Sequence, residues 1–269
     1  GGQEDELIFT RGATEAINLV AHQWPQKGRV LLSALEHHSN IVPWQLAGWQ
    51  VDVCPLTADG RIDLDAAEAM LTAEHRMVSF AHVSNVLGSV LDAPRAAALA
   101  HAVGALLLLD GCQSAARLPV DVAALGCDFY ALSGHKLYGP TGIGALWGRS
   151  ELLDRMPPWQ GGGSMIEKVT FTGSTYLPAP NRFEAGTPAI VEAIALAVAC
   201  DYVDAIGRDA IQAHEAQLVA HLRAGLRQFD DITLFGPEDS AGIVSFAMHG
   251  VPPHDLGTIL DEEDVAIRA

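Results

Sequence analysis

A lysine at the mouth of a glycine-rich turn is the residue of this chain best placed for covalent chemistry. Ser133-Gly134-His135-Lys136 runs straight into Leu137-Tyr138-Gly139-Pro140-Thr141-Gly142-Ile143-Gly144, and the apolar segment Phe129-Tyr130-Ala131-Leu132 precedes it. An amine held at a strand end and shielded from water loses its proton near neutral pH and can form a Schiff base. Alone, such a lysine reads as an ordinary surface residue in a turn; its companions argue otherwise. Asp110 closes the run Leu106-Leu107-Leu108-Leu109, a strand expected to be buried on both faces. A carboxylate there is costly without a cation or donors to pair with. It either caps a following helix or faces a protonated ring nitrogen, the partner that lets pyridoxal phosphate act as an electron sink.

Three further segments offer polar groups just past strand-like runs. Phe9-Thr10-Arg11-Gly12-Ala13-Thr14-Glu15 passes from strand through a glycine turn into a helix. Its first N–H groups and the Thr14 hydroxyl suit a phosphate, although Thr14 acting only as a helix cap fits the same pattern. Glu36-His37-His38-Ser39-Asn40 follows the strand Val30 to Ser33. One histidine there can lie against an aromatic cofactor and assist proton transfer, or be purely structural. A metal reading of His37 and His38 is poor, because adjacent side chains diverge and no third ligand is apparent; no metal is expected. Asn85, after Phe80-Ala81-His82-Val83-Ser84, is placed to hydrogen-bond a ring hydroxyl. The G-x-G-x-x-G, Walker, G-x-S-x-G and H-E-x-x-H patterns do not occur, which sets aside dinucleotide, P-loop, α/β-hydrolase and zincin chemistry. Gly161-Gly162-Gly163-Ser164, lacking a nucleophile elbow, reads as a flexible hinge.

The elements that position these residues alternate. Strands are expected at Leu7 to Thr10, Val30 to Leu32, Met77 to His82, Ala105 to Leu109, Asp128 to Leu132 and Gly144 to Trp147. Helical patterns lie between them at Thr14 to His22, Asp63 to Leu71 and Asp92 to Val103, with Asp63 and Asp92 as N-caps. Such alternation gives an α/β fold, a mostly parallel sheet covered by helices, in which ligands gather at the carboxyl ends of strands. After Trp159-Gln160-Gly161-Gly162-Gly163 an irregular stretch is expected as far as Pro188. Helices Ala189 to Ile206 and Asp209 to Phe229 follow, then strands Ile232 to Phe235 and Ile243 to Phe246, a helix from His254 to Leu260, and a strand at Val265 to Arg268. A domain change is expected near Asp204, dividing residues 1–204 from 205–269.

Bulk properties exclude several classes. With 49% hydrophobic and 18% charged residues among 269, the chain reads as one or two globular domains. A net charge of −17 argues against nucleic acid or an anionic membrane as partner. Cys54, Cys112, Cys127 and Cys200 are widely spaced, favouring reduced thiols and a cytoplasmic setting over disulfides or zinc. The longest apolar run, Ala96 to Leu109, is interrupted by His101 and Gly104, so no membrane span is expected. No signal peptide is visible. Strand-like segments stand almost at both ends, so the chain is expected to be part of a longer protein.

Seven ordered segments together resemble one family. They are Arg11 to Glu15, Glu36 to Trp44, His82 to Gly88, Asp110 to Gln113, Ser133 to Gly144, Pro157 to Gly163 and Arg182 to Pro188. The chain is similar throughout to the class V aminotransferase-like enzymes of fold type I, and among them to the group II (SufS/CsdA-type) cysteine desulfurases. The resemblance implies a seven-stranded, mainly parallel sheet in a large cofactor-binding domain, plus part of a small α+β domain. It implies pyridoxal 5′-phosphate as cofactor, Lys136 as the Schiff-base lysine, Asp110 as the pyridinium partner and His37 as the stacking ring. Asn85 and Gln113 resemble the residues beside the ring hydroxyl, and Thr14, Ser133 and His135 resemble the phosphate donors. Thr187 matches a position that reaches the phosphate of a partner subunit, which implies a homodimer. Arg268, with Asn85, resembles the substrate-binding set, the guanidinium taking the substrate carboxylate.

The activity so implied turns L-cysteine into L-alanine and leaves a persulfide sulfur for iron–sulfur cluster assembly, passed to a SufE-like acceptor or an Fe–S scaffold. In the family the nucleophilic cysteine lies a few residues past the matching arginine, in a Gly-x-x-Cys setting, hence past Ala269 here. Without it the chain by itself is expected to be inactive and to bind the cofactor weakly or fold poorly. Cys112 stands where the family usually has alanine and reads as a buried thiol. The alternatives are another class V member (aminotransferase, epimerase or selenocysteine lyase, the last acting on L-selenocysteine) and an inactive scaffold that keeps the fold.

Overall fold

A computed structural model describes all 269 residues. In chain order the elements are β1 Leu7–Thr10, α1 Ala13–Gln23, β2 Arg29–Ser33, α2 Val42–Leu46, β3 Gln50–Cys54, α3 Leu64–Met70, β4 His75–Ala81, α4 Ala93–Ala102, β5 Leu106–Asp110, α5 Val122–Leu125, β6 Phe129–Ser133, β7 Gly144–Gly148, α6 Ser150–Leu153, β8 Ile166–Thr170, β9 Gly173–Tyr176, α7 Ile190–Ile206, α8 Arg208–Leu226, β10 Ile232–Phe235, β11 Ser245–Met248 and α9 Pro253–Asp261. Strands β1 to β7 form one sheet in the order β1-β7-β6-β5-β4-β2-β3. The block from β6 to β3 is parallel, while β7 runs antiparallel to both of its neighbours.

The four leucines of β5 explain the sheet's place in the molecule. Leu108 packs into an apolar cluster with α1, Trp44 and Trp49, whereas Leu107 and Leu109 face a second cluster built on α4 and α7. A strand apolar at every position is what a sheet sandwiched between helix layers requires. Helix starts follow the sequence closely. Asp63 Oδ1 accepts from the amides of Asp65 and Ala66, and Asp92 Oδ1 accepts from that of Arg95.

Several expectations need correction. Strand β3 was not expected: Gln50-Val51-Asp52-Val53-Cys54 is a polar-interrupted edge strand, paired only through β2. Its Asp52 is bonded by Arg29 Nε at 2.7 Å, a cross-strand ion pair that replaces apolar packing. The stretch between Gly163 and Pro188 is not irregular throughout, since β8 and β9 pair as an antiparallel hairpin. That hairpin is almost wholly exposed, so no burial pattern marks it in the sequence. The strand expected at Ile243 to Phe246 lies two residues later as β11. Val265 to Arg268 forms no strand, because β11 pairs with β10 alone and no ladder is offered there. Helix α1 is capped by Gly12 rather than Thr14.

Candidate functional site

Every expected site residue on the large sheet follows a strand end at one edge. His37 follows β2, Asn85 follows β4, Asp110 ends β5, Ser133 ends β6 and Lys136 follows it. Strand β1 brings α1 to the same edge, because Thr10 and Ser133 both pair with Gly144 from opposite sides. This is the crevice at the carboxyl ends of parallel strands where α/β sheets bind ligands.

Asp110 is the last residue of β5. It is buried, and its Oδ1 accepts from the Cys112 amide at 2.9 Å in a turn rather than at a helix start. Oδ2 accepts no hydrogen bond from the chain. Lys136 ends a single 3₁₀ turn, half-buried, and its Nζ makes neither a hydrogen bond nor an ion pair. Tyr138, two residues on, holds a left-handed φ of 59°, a strained conformation of the kind that clusters at functional loops. Both charges act on His37. Burial and the Lys136 cation push the imidazole below its ordinary value, Asp110 opposes them, and His38 and Arg268 add to the downward shift. Lys136, Asp110 and Arg268 thus all bear on the charge of one imidazole, although Arg268 is more than 130 positions from the others. The Ser39 amide donates to His37 Nδ1 at 3.2 Å, so the neutral ring carries its proton on Nε2.

A second group assembles at the start of α1. Gly12 adopts φ 151°, which side chains rarely tolerate, and a Cβ on Gly144 would lie 2.5 Å from Gly12 Cα. The two glycines let β7 and the α1 entry touch. Ser133 Oγ accepts from the Ala13 amide at 2.9 Å and keeps its own proton to donate. Thr14 is exposed in the first helical turn, where the leading amides have no intrahelical acceptor. His135 is exposed and makes no hydrogen bond.

The remaining expected residues are placed differently. Gln113 is half-buried beside Asp110, with its side-chain oxygen taken by Arg117 at 2.6 Å. Asn85 is half-buried in the loop after β4 and has no partner. Thr187 is exposed and lines a cleft of about 310 Å³ with Thr10, Arg11, Glu15 and Gln160. No group of three or more His, Cys, Asp or Glu side chains could hold a metal ion.

Glu36 was missed as a participant, its only signal being its place beside His37. It is buried and accepts from Asn40 Nδ2 at 2.7 Å, the Ala81 amide at 3.0 Å and the Ser33 hydroxyl. Burial outweighs those donors, and with the Asp110 charge nearby the carboxyl is pushed from 4.5 up to about 7. The folded protein thus binds this proton more tightly than the unfolded chain does. The associated stability is whole below the unfolded value and is lost as pH rises through the folded one. Glu36→Gln removes this titration, so the variant's unfolding free energy relative to the native protein should rise by about 2 kcal/mol between about pH 5.5 and about pH 8. Denaturant midpoints read it; a difference flat with pH rules the titration out.

The cysteines divide from the site's chemistry. Burial pushes Cys54 up to about 11, and Cys112 and Cys127 up to about 12, while half-buried Cys200 is also raised. A nucleophilic thiolate needs the opposite shift. Cys112 is the buried thiol expected of it, 3.7 Å from Ser133 Oγ.

Comparison with known proteins places this geometry. The model of the aminotransferase class-V family matches residues 1–269. The chain belongs to that family. A cysteine desulfurase of Dickeya dadantii (strain 3937) is 46% identical over 274 residues, covering 98% of this chain and 66% of the relative. The crystal structure of the cysteine desulfurase CsdA, in its S-sulfonic acid form, from Escherichia coli superposes with a TM-score of 0.94 at 38% identity. It covers 99% of this chain and 69% of that one. The apo cysteine desulfurase of Thermococcus onnurineus NA1 gives 0.93 at 36% identity, covering 100% of this chain and 70% of the other. The chain spans about two thirds of the length of the relatives it matches.

Proposed function

We propose that this chain is the cofactor-binding part of a pyridoxal-phosphate-dependent cysteine desulfurase. One observation carries the reading: a lysine amine without a partner, a buried carboxylate and a histidine whose charge both of them influence stand at or just past the carboxyl ends of β6, β5 and β2. The donor set suits pyridoxal phosphate. Lys136 would hold its aldehyde carbon and Asp110 its ring nitrogen, with His37 against the ring and Asn85 and Gln113 at the ring hydroxyl. Thr14, Ser133, His135 and the first amides of α1 would hold the phosphate, as helix N-termini do. When bound, this cofactor supplies an electron sink for charge developing at a substrate α-carbon.

The chain's own residues do the rest. Arg268 binds the substrate carboxylate through its guanidinium fork, and Asn85 orients the substrate beside it. Asp110 keeps a proton on the ring nitrogen, since a carboxylate in a buried site favours a cation next to it. Lys136 takes the proton from the substrate α-carbon. Neutral His37 holds a proton on Nε2, available for transfer. Net, the Cβ–Sγ bond of cysteine breaks, alanine leaves, and the sulfur joins a thiolate as a persulfide. The four raised thiols of this chain do not suit that thiolate, which supports an acceptor cysteine outside them.

The finer assignments rest on further features. Ile190, Val191, Ile194, Val198, Tyr202 and Ile206 form an exposed apolar stripe on α7, and Thr187 opens outward nearby. Both support a homodimer in which Thr187 meets a partner's cofactor. Gly207, at φ 85°, breaks α7 from α8 and supports the division near Asp204 into a large and a small unit. No helix is long and apolar enough to cross a membrane, and the thiols are free, which fits a reducing cytoplasm. Delivery of sulfur to iron–sulfur assembly through a SufE-like acceptor completes the proposal, with L-selenocysteine as a second substrate. The test is product analysis on the full-length protein with pyridoxal phosphate. Alanine should be released from cysteine without any keto acid; keto-acid-dependent amino transfer instead would make it an aminotransferase.

A further inference from the structure

Gln113 does not stand free at the crevice. Arg117 Nη1 donates to Gln113 Oε1 at 2.6 Å and to the Gln113 carbonyl at 3.1 Å, gripping the residue at both side chain and backbone. The same guanidinium donates through Nε to Glu215 Oε1 at 3.0 Å, across to α8. The pair is largely enclosed, with 24% and 23% of the two side chains exposed. Gly242 closes over it at φ 65°: a Cβ there would lie 2.7 Å from Glu215 Oε2 and 2.9 Å from Arg117 Nε.

A guanidinium has donors only, so it dictates which end of the glutamine amide faces it. The oxygen must turn toward Arg117, and the NH₂ group is left as a pure donor on the other side. An unclamped glutamine would offer either end. The loop that carries Asn85 is tied to the same part of the chain as Gly242, through its backbone carbonyls. The loop carrying Asn85 receives the Ala241 amide on the Gly88 carbonyl at 2.8 Å, and the Ser245 hydroxyl on the Val86 carbonyl.

We propose that Arg117 and Glu215 are positioning residues that fix Gln113 as a hydrogen-bond donor toward the cofactor ring oxygen, coupling the site to α8. This rests on the pyridoxal-phosphate reading above. Glu215 holds the guanidinium in place, and Arg117 holds the amide; neither touches the reacting atoms.

A double-variant cycle on the full-length protein tests the coupling. Pyridoxal phosphate is titrated by fluorescence into the native protein, Glu215→Gln, Gln113→Ala and the combined variant, with the pH midpoint of the bound cofactor's visible absorption recorded for each. Glu215→Gln should weaken binding about fivefold and move that midpoint, and it should add nothing once Gln113 is alanine. Should Glu215→Gln fail to fold, Arg117→Met runs the same cycle. Native-like binding and midpoint in the single variant overturn the proposal. Additive losses overturn it too, because they would make the pair a general support of the fold. Native protein that leaves no borohydride label on Lys136 gives a different signature and takes down the cofactor reading together with this one.

Discussion

Lys136→Ala should abolish borohydride-stable attachment of pyridoxal phosphate and lower alanine release from cysteine by roughly 10³-fold or more. Two losses combine. The amine that would hold the cofactor is gone, and so is the base for the α-carbon proton, which alone is worth about 10²- to 10⁴-fold. The fold should tolerate the change, since Nζ makes no hydrogen bond or ion pair and the side chain is half-exposed. A thermal midpoint near the native one with label and turnover lost is the expected combination. His37 supplies a second readout. The Lys136 cation is among the forces holding its imidazole down, so its titration by NMR should move upward in the variant. Persistent labelling at another lysine would sink the assignment.

Asp110→Asn separates charge from shape. The asparagine oxygen can still accept from the Cys112 amide, the 2.9 Å bond that shapes the turn after β5. A role limited to that turn would leave catalysis intact. A role as partner of a ring nitrogen needs the negative charge, and removing one preorganised electrostatic partner costs about 10²- to 10³-fold in turnover. We expect that loss with little change in stability. Glu36 again reports on the charge. The Asp110 carboxylate is one of the influences raising it, so the Glu36 titration should move down toward the ordinary carboxylate range in Asp110→Asn. Unchanged turnover would reduce Asp110 to a turn-former.

Local chemistry made much of the architecture legible. Four consecutive leucines ending in an aspartate describe a strand buried on both faces, because only a sheet between two helix layers hides every side chain of a strand. Asp63 and Asp92 announced helix starts through the caps they make. What escaped lacked a burial signature: the polar edge strand β3, held by an Arg29–Asp52 pair, and the exposed β8–β9 hairpin. Val265 to Arg268 misled in the opposite way, since β-branched residues describe a strand but a strand also needs a neighbour with free backbone groups.

The crevice divides along the same line. The sequence by itself determined where the proposed site residues would stand, because Lys136, Asp110, His37 and Thr14 each sit where a strand or glycine turn delivers a side chain to one sheet edge. Their order along that edge is a matter of strand order, β1-β7-β6-β5-β4-β2-β3, which short-range periodicity does not carry. Only the tertiary structure decided how those groups are tuned. It buried Glu36 and raised its proton affinity, added the charge of distant Arg268 to those acting on His37, and set the Gln113 amide against an arginine anchored to α8. These are contacts between residues distant along the chain, made in a low-dielectric interior. Charge and hydrogen bonding there depend on what folding places alongside, which no local pattern encodes.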